Sequence, residues 1–213
     1  MKKRILITGG ASWVALDDLR IITNVFTGRT SLFLAKRFAR KHDVTLLVNP
    51  DRLSGLERLK NMRVILFHWH DEFLEKIQAL LRGNAFDCII HAAALADFYP
   101  STRYAGKRPS AKSQSIRLIP APKALPLMRK LSRAKIVQFK LESGTGKKEL
   151  IDRAYASLMS NRTDYVVAND YTVLKKGLST RYLIDRGKKS ILIPTRTVLA
   201  QVLEKEVFSC RQP

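Results

Sequence analysis

Asp17, Arg20, Asn24 and Gly28 stand in one polar stretch, Asp17-Asp18-Leu19-Arg20-Ile21-Ile22-Thr23-Asn24-Val25-Phe26-Thr27-Gly28. A guanidinium suits a phosphate or a carboxylate, and a carboxamide can hydrogen-bond the carbonyl or mixed anhydride of an activated acid. If the stretch is locally helical, Arg20 and Asn24 share a face. The bland reading is an ordinary polar connection. Thr8-Gly9-Gly10-Ala11-Ser12 is a second candidate. Gly9 and Gly10 would let backbone N–H groups approach a phosphate. The third glycine of a dinucleotide fingerprint is missing, because Val14, Ala15 and Leu16 occupy its region. A tight turn after a buried strand explains the glycine pair as well.

Three other patterns are less complete. Tyr171 and Lys175 have the Y-x-x-x-K spacing of short-chain dehydrogenases, where the lysine lowers the tyrosine pKa. Ile90-His91-Ala92-Ala93-Ala94 is similar to the fourth-strand end of those enzymes. The segment 141–148 contains Gly144-Thr145-Gly146-Lys147 but fails as a P-loop. Leu141 stands where its first glycine belongs, and Lys148 where Ser or Thr should meet magnesium. It reads as a loop leading into a helix. His68-Trp69-His70 would turn two imidazoles the same way on an extended segment, with Asp71 and Glu72 adjacent. No further ligand pattern completes a zinc set. The expectation is a strand end with two surface histidines, and no metal site is assigned.

The elements that must position these residues read as an α/β alternation. Strands are expected at residues 4–8, 44–48, 63–67 and 86–92, with helices at 30–41 and 72–81. Residues 11–27 read as irregular. A second α/β stretch follows, with helices near 123–131 and 147–159, strands at 135–139 and 164–168, a hairpin at 180–193 turning at Asp185-Arg186-Gly187, and a last helix near 195–207. Between the halves, residues 99–122 carry Pro100, Gly106, Pro109, Pro120 and Pro122 with little apolar periodicity, which reads as a flexible flap. The expected fold is α/β: a Rossmann-like open, mostly parallel sheet with a β-rich flap or dimerisation element. Residues 1–213 form a single domain, divided into a first half at 1–98, the flap at 99–122 and a second half at 123–213. Ligands of such sheets bind at the carboxyl ends of the strands, where the loops after Thr8 and His91 fall.

Composition narrows the class. Of 213 residues, 39 are Lys or Arg and 18 are Asp or Glu, a net charge of +21, while 46% are hydrophobic. This composition excludes a disordered tail and a collagen-like chain. The charge favours anionic partners, but the basic residues are spread along the whole chain without interleaved aromatics, so nucleic-acid binding is not expected as the main role. Two cysteines, Cys88 and Cys210, give no disulfide framework and suggest a reduced, cytoplasmic setting. No apolar run is long enough for a membrane span or a signal peptide.

The order of the motifs resembles the phosphopantothenate–cysteine ligase family. The family's D-x-x-R-x-x-x-N-x-x-S-G pattern follows an opening ITGG-type turn; here it falls on Asp17, Arg20, Asn24 and Gly28. Its AA-x-AD-aromatic segment is matched by Ala92-Ala93-Ala94-Leu95-Ala96-Asp97-Phe98-Tyr99-Pro100, and its flap lysine by Lys107 in Gly106-Lys107-Arg108-Pro109-Ser110. Gln138-Phe139-Lys140-Leu141-Glu142-Ser143 matches a G-F-x-x-E-T-like strand end, and Thr163-Asp164-Tyr165-Val166-Val167-Ala168-Asn169-Asp170 an A-D-x-I-V-A-N-D-like strand. The length suggests the standalone form, without a fused decarboxylase flavoprotein.

The resemblance implies a ligase that joins 4′-phosphopantothenate to L-cysteine through an acyl-nucleotidylate, using CTP or ATP with Mg²⁺ and releasing pyrophosphate, in coenzyme A biosynthesis. It implies that Asn24 holds the acyl intermediate, with Gly28 and Ala94 beside the substrate, and that Arg20 supports that loop. It places Gly9, Gly10, His91, Ala92, Ala93, Asp97 and Phe139 at the nucleotide, Lys107 on phosphate from the flap, and the protein in a homodimer. The family's S-S-G is Phe26-Thr27-Gly28 here, and its next K-M-G is Arg29-Thr30-Ser31. Two lysines that precede the A-D strand in bacterial CTP-dependent members fall on Ser157 and Asn161. Two other readings stand beside the ligase. One is an NAD(P)-dependent short-chain reductase, with Arg52 suited to a 2′-phosphate. The other is a basic nucleic-acid-binding protein.

Overall fold

Ile5 and Ile7 point to one side of their strand and Leu6 to the other, and this alternation sorts the protein into layers. The structure is a computed structural model that describes residues 1–56, 62–175 and 180–208. Its strands are β1 (Arg4–Gly9), β2 (Trp13–Ala15), β3 (Ile21–Thr23), β4 (Asp43–Val48), β5 (Arg63–Leu66), β6 (Cys88–His91), β7 (Phe98–Pro100), β8 (Leu118–Pro120), β9 (Lys135–Glu142), β10 (Tyr165–Asp170), β11 (Arg181–Asp185) and β12 (Ser190–Ile193). Its helices are α1 (Arg29–Phe38), α2 (His70–Gly83), α3 (Ala124–Leu131), α4 (Lys147–Ser160), the short α5 (Tyr171–Lys175) and α6 (Arg196–Leu203).

Eight strands form one sheet in the order β12-β11-β10-β9-β6-β1-β4-β5. The run from β5 to β10 is parallel, and β11 and β12 are antiparallel. This is the expected open, mostly parallel sheet. Parallel strands with both faces covered read as continuous apolar runs, and Ile5, Leu6, Ile7, Ile89 and Ile90 are fully buried. Leu34 and Phe38 of α1 and Leu199 and Leu203 of α6 pack on the face of Ile5, Ile7, Val137 and Val167. Phe73 and Ile77 of α2 and Met128 of α3 cover Leu6, Ile89 and Ile136 on the other. Leu150, Ala154 and Leu158 of α4 extend that second layer over Val166 and Ala168. Cys88 is buried in the sheet, where burial pushes its thiol pKa up; Cys210 lies outside the described residues.

Two stretches differ from expectation. The segment at 11–27 is not uniformly irregular, nor helical across Arg20 and Asn24. It contains the antiparallel pair β2–β3, with Trp13 opposite Thr23 and Ala15 opposite Ile21. Arg20 therefore sits in the hairpin turn and Asn24 beyond its second strand. The flap also contains a pair: β7 and β8 are antiparallel, with Tyr99 opposite Ile119.

Candidate functional site

The site grows from the carboxyl ends of β1 and β6. Thr8 and His91 lie side by side in register, and Thr8 Oγ1 is hydrogen-bonded to His91 Nδ1 at 2.8 Å. The chain beyond β6 continues the pairing: Ala92 N–H donates to the Thr8 carbonyl, and Ala94 N–H to the Gly10 carbonyl. Asn24 is fastened to this loop. Its Nδ2 donates to the carbonyls of Ala94 and Leu95 at 3.1 and 3.0 Å. With the amide nitrogen so engaged, the carbonyl oxygen is the polar end that Asn24 can turn towards a ligand's donor.

A cleft of about 320 Å³ opens beside the loop. Gly28, Ala92, Ala93, Ala94 and Phe139 all line it, so five of the residues singled out from sequence converge on one cavity. Gly28 is needed by the backbone: its φ is +76°, and a Cβ there would meet Gly10 N at 2.7 Å. It is also the N-cap of α1, whose first turn, Arg29 to Ser31, forms one wall. Helix N–H groups there favour an anion. Gly9 and Gly10 do not line this cleft. Both pack closely against neighbouring elements: a Cβ on Gly9 would overlap Ser31 Oγ, and one on Gly10 would lie 2.8 Å from Asn49 Cβ. His91 lies beneath the loop and is 8% exposed.

Asp97 and Lys107 are also outside the cleft. Asp97 is exposed and pairs with Lys123 at the base of the flap. Lys107 is exposed, but its backbone neighbours are held. Asp18 Oδ2 accepts from Gly106 N–H at 2.7 Å, and Asp17 Oδ2 accepts from Arg108 N–H at 3.0 Å. Asp17 Oδ1 accepts from the N–H groups of Leu19 and Arg20, while Arg20 Nη1 lies 3.3 Å from Asp17 and donates to the Arg108 carbonyl. The β2–β3 turn is thus a clamp on the residues flanking Lys107. Burial opposes ionisation of Asp17, but the N–H groups of Arg108, Leu19 and Arg20 hold its carboxyl below the usual range. Arg20 supports the flap through this turn and does not reach the cleft.

The remaining motifs take other roles. Lys175 lies over the Tyr171 ring at 5.4 Å, and Tyr171 packs edge-on against Phe26 at the rim of the cleft. Arg52 donates to the Val25 carbonyl. Gly146 is the N-cap of α4, as expected of a loop leading into a helix. His70 is not a surface residue: it is 2% exposed, and its Nε2 lies 3.0 Å from the Pro122 carbonyl. Among the described residues no group of three or more His, Cys, Asp or Glu is placed to hold a metal ion. Ser157 and Asn161 close on Gln138, since Gln138 Nε2 donates to Ser157 Oγ and Asn161 Nδ2 to Gln138 Oε1.

Residues 1–207 match the family described as the DNA/pantothenate metabolism flavoprotein C-terminal domain. The chain belongs to this family. Its relatives include the coenzyme A biosynthesis bifunctional protein CoaBC of Thermococcus kodakarensis, 29% identical over 96% of this chain and 51% of that protein. The CoaBC of Methanocaldococcus jannaschii is 30% identical over 78% of this chain and 40% of that protein. The chain spans about half the length of the curated relatives it matches. A solved DNA/pantothenate metabolism flavoprotein from Streptococcus pneumoniae has the same fold, with a TM-score of 0.87 at 21% identity, covering 97% of this chain and 99% of that one. A Cab2 mutant in complex with phosphopantothenate-cysteine superposes with a TM-score of 0.79 at 19% identity, covering 97% of this chain and 85% of that one.

The family resemblance drawn from the motifs is therefore borne out, together with the fold. Motif reading missed Arg181 and Arg196 and gave Asn169, inside a matched strand, no role; all three also line the cleft. The available signal was a charged residue, Arg181, just before the apolar run Tyr182-Leu183-Ile184.

His91 carries a consequence for this family member's stability. Burial pushes its pKa down from 6.5 to about 4. The unfolded chain therefore binds a proton between those values that the folded one refuses, and stability falls as pH drops through that window. We expect unfolding in urea at pH 5 to be about 2 kcal/mol easier than at pH 7 on account of this group. His91→Gln should flatten that slope; an unchanged slope would assign it to other groups.

Proposed function

We propose that the chain is a phosphopantothenate–cysteine ligase of coenzyme A biosynthesis. Phosphopantothenate would be activated by CTP or ATP as an acyl-nucleotidylate with release of pyrophosphate, and the cysteine amine would then attack the acyl carbon and expel the nucleoside monophosphate. The observation that carries this reading is the Asn24 amide fastened to the Ala94 and Leu95 carbonyls, behind a cleft walled by Gly28, Ala92, Ala93, Ala94 and Phe139 whose lining Asn24 itself does not join. The names of the CoaBC relatives and the phosphopantothenate-cysteine bound to Cab2 support the substrate class.

In this proposal Phe139 offers an aromatic face to the base and the first turn of α1 offers N–H groups to phosphate. Asn24 orients the acyl group, and Lys107, placed on the flap by the Asp17 and Asp18 clamp, neutralises phosphate. No carboxylate lines the cleft among the described residues. The protein donors therefore do not fit a resident magnesium, and Mg²⁺ would enter as part of the nucleotide complex. The halves 1–98 and 123–213 act as one catalytic unit.

The same proposal makes the protein a homodimer. Ile21, Ile22 and Val25 around β3, and Phe98, Leu118 and Ile119 of the β7–β8 pair, are exposed apolar side chains on hairpins of three-residue strands. Such short hairpins need a partner surface to be stable. Light scattering should give twice the chain mass, and Leu118→Asp combined with Ile21→Asp should give the single-chain mass. A monomeric parent protein would remove the dimer.

The activity is tested by pyrophosphate release with phosphopantothenate, cysteine and magnesium, comparing CTP with ATP. Release that requires phosphopantothenate is expected. Absence of release with both nucleotides would overturn the ligase assignment.

A further inference from the structure

Arg181 is 6% exposed, on a strand whose other inward residues are apolar. It pairs in register with Asn169 of β10, and both line the cleft. Arg196 enters the same cleft from the first turn of α6, where Thr195 caps the helix by accepting from Val198 N–H. The two guanidiniums influence one another: burial first, and then the Arg196 charge, lower the Arg181 pKa. Lys140 lies in the same lining with its own partner, Glu142, at 3.2 Å. No described residue lining the cleft is acidic. Holding two like charges beside a partly desolvated cavity costs free energy that a bound anion recovers. Planar guanidiniums meet phosphate oxygens in pairs.

We propose that Arg181 and Arg196 form a phosphate clamp that receives the polyphosphate of the nucleotide in this cleft. The nucleotide assignment rests on the ligase reading; the clamp itself rests on the two arginines and the cavity. Positions 157 and 161 do not supply such a charge, because Ser157 and Asn161 are neutral and engaged with Gln138. Two phosphate sources share this chemistry, the nucleotide and phosphopantothenate, and binding measurements separate them.

Isothermal titration of the full chain with inorganic pyrophosphate, CTP, ATP, cytidine and 4′-phosphopantothenate provides the test. Arg196→Gln is the main variant because Arg196 is exposed on the first helical turn; Arg181→Lys keeps the charge and removes the fork. We expect Arg196→Gln to weaken pyrophosphate and the preferred triphosphate by at least about tenfold and to leave cytidine unchanged. Arg181→Lys should weaken pyrophosphate severalfold. Pyrophosphate affinity that is the same in both variants and the parent overturns the clamp. Loss confined to 4′-phosphopantothenate overturns the nucleotide assignment and gives the clamp to the acyl substrate. Arginine-dependent pyrophosphate binding in a protein that takes neither CTP nor ATP upholds the clamp and removes the ligase reading.

Discussion

Asn24→Asp should lower cysteine ligation by about 100-fold, on the scale of misplacing reacting groups by about 1 Å. Asn24 Nδ2 stands 3.1 Å from the Ala94 carbonyl and 3.0 Å from the Leu95 carbonyl. An aspartate of the same shape would set a charged oxygen against two carbonyl oxygens. It would rotate away or push the 92–95 loop outward, and either movement displaces the cleft wall. Pyrophosphate release in the absence of cysteine is the discriminating measurement. If release persists while ligation is lost, Asn24 acts on the acyl intermediate. Loss of both steps would assign it to substrate binding. The lost hydrogen bonds should cost about 1–3 kcal/mol of stability, so urea unfolding of the variant must accompany the kinetics.

Sequence reading succeeded where one local rule decided the structure. The strands at residues 4, 44, 88, 135 and 165 are buried on both faces, so their composition alone marks them. The helix expected at 72–81 extends to His70–Gly83 because the Glu72 carboxylate accepts from the N–H groups of His68 and Trp69, a start that periodicity cannot show. The β2–β3 pair was missed because its strands have three residues each, and Ile21 and Ile22 are exposed. For Gly9 and Gly10 the sequence offered a phosphate approach or a tight turn, because a glycine signal does not show which neighbouring elements also pack close. Here the neighbours are Ser31 and Asn49. Arg181 and Arg196 join Phe139 and Gly28 only through the strand order, which brings together segments distant in the chain.

Lys107→Gln should reduce turnover with the nucleotide by roughly 10- to 100-fold, the value of one charge-assisted phosphate contact. How the lysine is placed leads to a second, coupled expectation. Lys107 itself is exposed, yet Gly106 and Arg108 on either side are fixed to Asp18 and Asp17. The motif that begins at Asp17 thus serves the flap at its start and the 94–95 loop at Asn24. The β2–β3 hairpin, with strands of three residues each, joins the two functions. Asp17→Asn replaces one acceptor oxygen with a donor, which would face either Arg108 N–H or the N–H groups of the turn. The flap would then lose its fixed position while Lys107 kept its charge. We expect Asp17→Asn to raise the nucleotide KM and lower kcat by about tenfold together, since a misplaced group loses both binding and alignment. In a Lys107→Gln background the same change should add less than about twofold, because the residue being positioned is already gone. Melting curves of both single variants establish that the fold persists. Fully additive losses would separate Asp17 from Lys107 and leave the aspartate a purely structural turn residue. Strong coupling would mean that the hairpin turn sets the lysine's position.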